Sequence, residues 1–188
     1  QAVSLRDKAS KDIFNDLSHL RQAPDVILTR KERANPIPKT LGISVMDQGE
    51  VYMKSVASWI TEAVDSGYAV TLFSFSKKLG DETAIKKILT RLDKKTRDKL
   101  ACCNYQGNIT ETLFAFSQME TVIATRFHAT ILGMVFNQKI FSIIYNDKTA
   151  NVLADLPQKI PSARVEDIQD ISFEVLIKQT QKQNFNWQ

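Results

Sequence analysis

Glycine is scarce in this chain, six residues in 188, and none of the six forms part of a Gly-x-Gly-x-x-Gly, a Walker loop or a Gly-x-Ser-x-Gly turn. Hydride transfer on a dinucleotide, P-loop phosphoryl transfer and serine hydrolysis therefore lose support. Cysteine is nearly missing too. Cys102 and Cys103 are adjacent, so they make no Cys-x-x-Cys metal pair and do not easily bond to each other; their apolar surroundings predict reduced core residues. Histidine is limited to His19 and His128, and no metal-ligand cluster appears. No apolar run approaches the ~18 residues that span a bilayer, and no segment has the layout of a signal peptide. The chain reads as cytoplasmic. Its formal charge of +4 is gathered into no tail or arginine-rich helix, so nucleic acid is not implied. Repeats and low-complexity segments are absent.

What is present is an ordinary globular balance, 43% hydrophobic and 24% charged, enough for one well-buried domain. From residue 41 onward, short apolar runs alternate with amphipathic helical patterns. That alternation predicts an α/β fold, a Rossmann-like parallel sheet with helices on both faces. Strands are expected at 41–46, 68–75, 100–104, 121–124 and 139–145. Helices are expected at 51–65, 82–92, 110–119, 128–136, 147–156 and 172–183. Residues 1–30 read as the end of a preceding α/β unit or an interdomain segment, with strands at 2–5 and 26–29 around a helix at 10–20. The stretch 31–40, charged and carrying Pro36 and Pro38, reads as a linker, and 41–188 as the Rossmann-like donor-binding domain. The chain opens on Gln1 and is strand-like by Val3, which predicts an upstream domain. Lys86, Lys87, Arg91, Lys94, Lys95, Arg97 and Lys99 crowd one helical region. A solvated face explains them, and contact with anionic lipid at the inner membrane surface is the sharper alternative.

In an open parallel sheet the functional crevice lies beyond the carboxyl ends of the strands, so the strand-to-helix turns are where chemistry belongs. The turn at Thr125-Arg126-Phe127-His128 stands out because it places two ionisable groups inside an apolar run. Burial penalises charge unless something pairs with it. Arg126 leaves a strand where a helix begins, beside free N–H groups and the positive end of the helix dipole, a combination that binds anions. Its planar fork can take a carboxylate or phosphate bidentately. His128 can donate to the same anion or exchange a proton near neutral pH. The plainer alternative pairs Arg126 with a core carboxylate and leaves His128 to cap the helix. Phe127 fits a core position. Lys148, in the next such turn, can add a point charge, and Arg6 follows the first strand, ahead of a helix that Ser10 can cap; an ion pair with Asp7 or Asp12 is its plain reading. Asp81 and Glu82 suit a helix start, with contact to a sugar as the alternative. His19 is given no role.

These residues resemble the polysaccharide pyruvyl transferase family. The resemblance rests on Arg126-Phe127-His128-Ala129 followed by Tyr145-Asn146-Asp147-Lys148, on Arg6-Asp7-Lys8-Ala9-Ser10 with Pro24-Asp25 after it, and on Phe75-Ser76 with Gly80-Asp81-Glu82. It spans residues 3 to about 156. Asn137-Gln138-Lys139 stands where the family often has a Gly-x-Pro turn, and the family's Gly-rich N-terminal half is not in this sequence. The resemblance implies the C-terminal domain of a GT-B fold and no cofactor. It also implies transfer of a pyruvyl group from phosphoenolpyruvate to a sugar of an exopolysaccharide or cell-wall precursor, with the acceptor free or lipid-linked. Arg6, Arg126, Phe127, His128 and Lys148 would bind the donor, with Arg126 and His128 catalytic. Two alternatives stay open: a GT-B glycosyltransferase using a nucleotide sugar, and a non-catalytic anion-binding module.

Overall fold

The computed structural model describes residues 3–14, 17, 19–23, 25–29, 34–156 and 158–182. A small unit comes first: strand β1 (Val3–Leu5), helix α1 (Lys8–Ile13) and strand β2 (Leu20–Gln22), the strands parallel, then a 3₁₀ turn at Val26–Thr29. A seven-stranded sheet follows. In chain order it is built from β3 (Ile37–Ser44), α2 (Gly49–Asp65), β4 (Ala69–Ser74), α3 (Asp81–Leu89), the short α4 (Lys94–Arg97), β5 (Leu100–Asn104), α5 (Ile109–Ser117) and β6 (Met119–Ala124). It continues with α6 (Phe127–Val135), β7 (Lys139–Ile144), α7 (Asp147–Ala154), β8 (Ser162–Arg164), α8 (Phe173–Gln179) and β9 (Gln181–Lys182). The strand order is β5-β4-β3-β6-β7-β8, all parallel, with β9 antiparallel on the opening of β7.

Alternation along the strands divides the core between the two faces of the sheet. Leu41, Ile43, Leu72, Ile123, Phe141 and Ile143 meet α2, α3 and α8 on one face. Phe73, Val122, Ala124 and Ile140 meet α5, α6 and α7 on the other. Because both faces are covered, the second half of β6, Val122-Ile123-Ala124, reads as a continuous apolar run rather than an alternating one. Close contact has its own residue requirements. A Cβ at Gly42 would stand 2.8 Å from Met119 Cγ, so only glycine lets β6 and β4 side chains fill that face. At the end of α6, Asn137 adopts a left-handed φ of 54°. Gln138 is then buried, its Nε2 donating to the carbonyls of Phe116 at 2.7 Å and Met119 at 2.6 Å.

Several boundaries differ from the sequence expectation. β3 begins at Ile37, so residues 37–40 belong to the sheet and not to a linker; residues 30–33 lie outside the described residues. Pro38 is tolerated because the β3–β6 register shifts between Ile37 and Leu41, and a bulge needs no ladder bond there. Val26–Thr29 is not a strand. Asp25 accepts the Ile27 N–H on its side chain at 3.1 Å and the Leu28 N–H on its carbonyl at 2.9 Å, which turns the chain; the partner of β1 is Leu20–Gln22. Helix α1 stops at Ile13, and its cap is Asp7, whose carboxylate accepts from the Ser10 N–H at 2.7 Å and Ser10 Oγ at 2.8 Å. α5 runs over Ile109–Ser117 and is capped by Asn108. Helix α8 ends at Gln179 because the chain turns to pair β9 with β7; residues 183–188 lie outside the described residues. Cys102 and Cys103 are free but not core: Cys102 is exposed and Cys103 half-buried, because β5 is the edge strand.

Candidate functional site

The small N-terminal unit is fastened over the carboxyl ends of the sheet. Leu28 packs among Phe127, Ile131, Val152 and Leu153, and Asp155 at the end of α7 accepts the Lys8 N–H at 2.5 Å. This docking brings β1's last residues and the 3₁₀ turn beside the start of α6. Arg126 ends the turn after β6 and gives α6 no side-chain cap among the described residues, so the first N–H groups of that helix face the site without a side-chain acceptor.

Arg126 is not a free fork. Its Nε donates to Asp81 Oδ2 at 2.8 Å and its Nη2 donates to Asp81 Oδ1. Asp81 is 0% exposed, and the Phe75 and Ser76 N–H groups complete its shell at 3.0 and 2.9 Å. The plainer alternative for Arg126 therefore describes what the fold does with two of its donors. The Nη1 hydrogens and one on Nη2 have no partner among the described residues, and the side chain stays 14% exposed. Beneath it, Tyr52 Oη and Thr125 Oγ1 share a hydrogen bond of 2.9 Å. Burial pushes the Tyr52 phenol up to about 12, so it remains protonated.

Arg6 pairs with Asp25, not with Asp7 or Asp12. Its Nη1 donates to Asp25 Oδ2 at 2.8 Å, and its Cζ lies 4.6 Å from the centre of the Phe127 ring, a cation–π contact. Phe127 is thus core on one side and a platform for Arg6 on the other. His128 Nε2 lies 3.8 Å from the same Asp25 Oδ2, and the imidazole is 57% exposed. It caps nothing. Burial pulls the His128 pKa below its ordinary 6.5; Asp25 opposes that pull, while Arg6 and Lys148 reinforce it. Burial pushes the Asp25 carboxyl up, but the Ile27 N–H, Arg6 and His128 together outweigh it and hold the group below its ordinary value. At neutral pH the cluster is a carboxylate, a neutral imidazole and two cations.

Two hollows open on this cluster. One of about 460 Å³ is the more polar, with Arg6, Asp25, Ser10 and Lys148 on its walls beside Leu5 and Val26. The other, of about 450 Å³, is mostly apolar, with Phe75, Ile109 and Leu132 around Ser76, Arg126 and His128. Arg6 and Lys148 therefore line one hollow, Arg126 and His128 the other, and the Asp25–His128 contact joins them. Among the described residues, no group of three or more His, Cys, Asp or Glu is placed to hold a metal ion. The sequence reading missed Asp25 as the carboxylate shared by Arg6 and His128, and Asp81 as the partner of Arg126. In the sequence each is an acid that directly follows a Gly or a Pro, Gly80-Asp81 and Pro24-Asp25, which alone does not name a partner.

The family model described as polysaccharide pyruvyl transferase matches residues 1–147. Compared with curated proteins, the sequence finds no match. Among solved structures the chain is similar to the E. coli ADP-heptose LPS heptosyltransferase II, at 12% identity and a TM-score of 0.55 over 93% of this chain and 51% of that one. It is similar to TarM, at 14% identity and a TM-score of 0.57 over 93% of this chain and 36% of that one. A mutant of S. aureus TarM in complex with fondaparinux, α-GlcNAc-glycerol and UDP matches at 10% identity and a TM-score of 0.53, over 93% and 36% of the two chains. The chain thus spans about half of one neighbour's length and about a third of the other's. At these identities the likeness shows the fold, an α/β parallel sheet shared with GT-B glycosyltransferases.

Proposed function

The chain belongs to the polysaccharide pyruvyl transferase family, and from that premise we propose that its site moves a pyruvyl group from phosphoenolpyruvate onto two hydroxyls of one sugar, forming a cyclic ketal. The observation that carries this reading is the gathering of Arg6, His128 and Lys148 around two adjoining hollows at the carboxyl ends of β6 and β7. Phosphoenolpyruvate carries a carboxylate and a phosphate on one small carbon frame. Arg6 and Lys148 supply cations for one end, and the unused donors of Arg126 with the α6 N-terminus supply them for the other. The remaining space suits a sugar whose apolar ring face rests on Phe75.

The chemistry then balances as follows. His128, protonated, gives its proton to the donor's methylene carbon, which becomes a methyl group. Positive character at the neighbouring carbon draws in one sugar hydroxyl, whose proton returns to the imidazole. The C–O bond to phosphate breaks and the second hydroxyl takes its place, its proton leaving with the phosphate. Arg6 and Lys148 stabilise the charge that gathers on the departing phosphate. The acceptor belongs to a polysaccharide or its precursor. Where that precursor is lipid-borne, the exposed Lys86, Lys94, Lys95 and Lys99 would meet the anionic membrane surface, Lys87 and Arg91 being already paired with Asp47 and Glu50. Among the described residues no helix is long and apolar enough to cross that membrane.

A second reading, sugar transfer from a nucleotide sugar, is favoured by the fold shared with the ADP-heptose heptosyltransferase and TarM. Thermal unfolding of the full-length protein separates the two. Protection by phosphoenolpyruvate but not by UDP- or GDP-sugars is expected, and the reverse pattern sinks pyruvyl transfer. His128→Gln is expected to lower ketal formation by about a hundredfold or more with the unfolding midpoint kept.

A further inference from the structure

Asp25 takes no part in the steps above, yet the cluster converges on it. The side chain is 8% exposed. One oxygen is occupied by the Ile27 N–H; the other takes Arg6 Nη1 at 2.8 Å and stands 3.8 Å from His128 Nε2. Arg6 is held there from its other side by the Phe127 ring. The charged groups around the imidazole are therefore few and come from distinct elements: Asp25 from the segment before the 3₁₀ turn, Arg6 from the end of β1 and Lys148 from the first turn of α7. Arg126, which opens the same helix and lines the same hollow, has its charge matched by Asp81.

With the site empty, two cations act against a charge on His128 and one carboxylate acts for it. An anion seated on Arg6 and Lys148 changes the balance, because it matches both cations and draws the Arg6 guanidinium toward itself. Asp25 Oδ2 is then the nearest unmatched charge to Nε2, and a 3.8 Å separation has room to close into a charge-assisted hydrogen bond. We infer that Asp25 is a positioning residue: it holds the Nε2 edge of His128 and makes the imidazole take up a proton from solvent when an anion reaches Arg6 and Lys148. The general acid is in this way loaded by the arrival of its own substrate. The use of that proton rests on the pyruvyl-transfer reading; the coupling itself does not.

Sulfate is the probe, since its charge is constant across the range and its binding reports protein protons alone. In the full-length protein, sulfate affinity is expected to rise about tenfold from pH 8 to pH 6, and calorimetry in buffers of different ionisation enthalpy to read an uptake averaging about half a proton across that range. Asp25→Asn should remove both effects and carry the alkaline limb of kcat, where the general acid loses its proton, to lower pH, and Asp25→Glu should restore them. His128→Gln, which leaves every bond to Asp25 other than its own, should also abolish the uptake. Asp25→Asn retaining the wild-type uptake, or weakening sulfate equally at both pH values as loss of a purely structural contact would, overturns the inference. Proton uptake without ketal formation leaves the inference standing and removes the reaction; ketal formation without uptake does the opposite.

Discussion

His128 and Arg126 stand two residues apart and differ in how the fold treats them. The imidazole keeps 57% of its surface in solvent, while Arg126 keeps 14% and gives two donors to a carboxylate that keeps none. Loss of a half-exposed imidazole with one long-range partner costs little stability, within about 0.5 kcal/mol. Loss of a buried partner is different. Asp81→Ala leaves the Arg126 guanidinium without its counter-charge and the Phe75 and Ser76 N–H groups without an acceptor, an expected destabilisation of about 3–5 kcal/mol in urea unfolding. A measured loss under about 1 kcal/mol would mean that water replaces Asp81 without cost, and the ion pair would then be a surface feature. Asp81 is thus the residue that sets the reach of Arg126 into its hollow, even though no charge of its own reaches solvent.

Each element at the carboxyl ends of the sheet delivers one group, and its cap decides where that group stands. Helix α7 begins at Asp147 with Asn146 as its cap, Oδ1 accepting the Thr149 N–H at 2.8 Å. Lys148 lies inside that first turn. Asn146→Ala is expected to cost about 1 kcal/mol and to fray the turn, weakening anion binding in the polar hollow while leaving the apolar one unchanged. Equal affinity for sulfate in the variant would show that Lys148 finds its place without the cap. Gln138 plays a comparable part on the far side of α6, since its amide donates to two carbonyls between α5 and β6 and ties those elements to the end of α6. The turn that departs from the expected Gly-x-Pro is here made with Asn137 at positive φ, and the buried amide of Gln138 fastens it.

On the acid side of neutrality, the shifted carboxyls and His128 act on stability in the same direction. Hydrogen bonds and cations hold Asp25, Asp47 and Glu120 below their ordinary values of 3.8, 3.8 and 4.5, with burial opposing; for Asp25 burial is the largest single influence and for Asp47 and Glu120 the bonds to Lys87 and Lys139 are. A carboxyl lowered in the fold binds more protons when unfolded, so its stabilisation is complete above the ordinary value and is lost as pH falls through the lower one. His128, lowered from 6.5, works the same way: the fold favours the neutral ring, and stability begins to fall below 6.5. The urea midpoint is therefore expected to decline from pH 7 toward pH 4, first through His128 and later through the carboxyls. His128→Gln should flatten the upper part of that decline. A midpoint that rises between pH 7 and pH 5.5 would contradict the charge arrangement described for the cluster.

Apart from the short α4, apolar spacing in the sequence determined the alternation of strands and helices from β3 to α7, because a parallel sheet covered on both faces demands apolar strand cores and one-sided helices; the two- and three-residue edge strands β8 and β9 are too short to leave a pattern. The same logic marked Arg126 and His128, since ionisable groups in such a run need a reason. Boundaries at Pro38 and at Val26–Thr29 were not legible, as a bulge and a side-chain-held turn depend on partners far along the chain. Tertiary structure alone decided the pairings. Arg126 meets Asp81 across 45 residues, and Arg6 meets Asp25 only because the first unit docks over α6. Periodicity records which side of an element is buried, whereas charge pairing depends on distances between elements, and only the packed fold sets those distances.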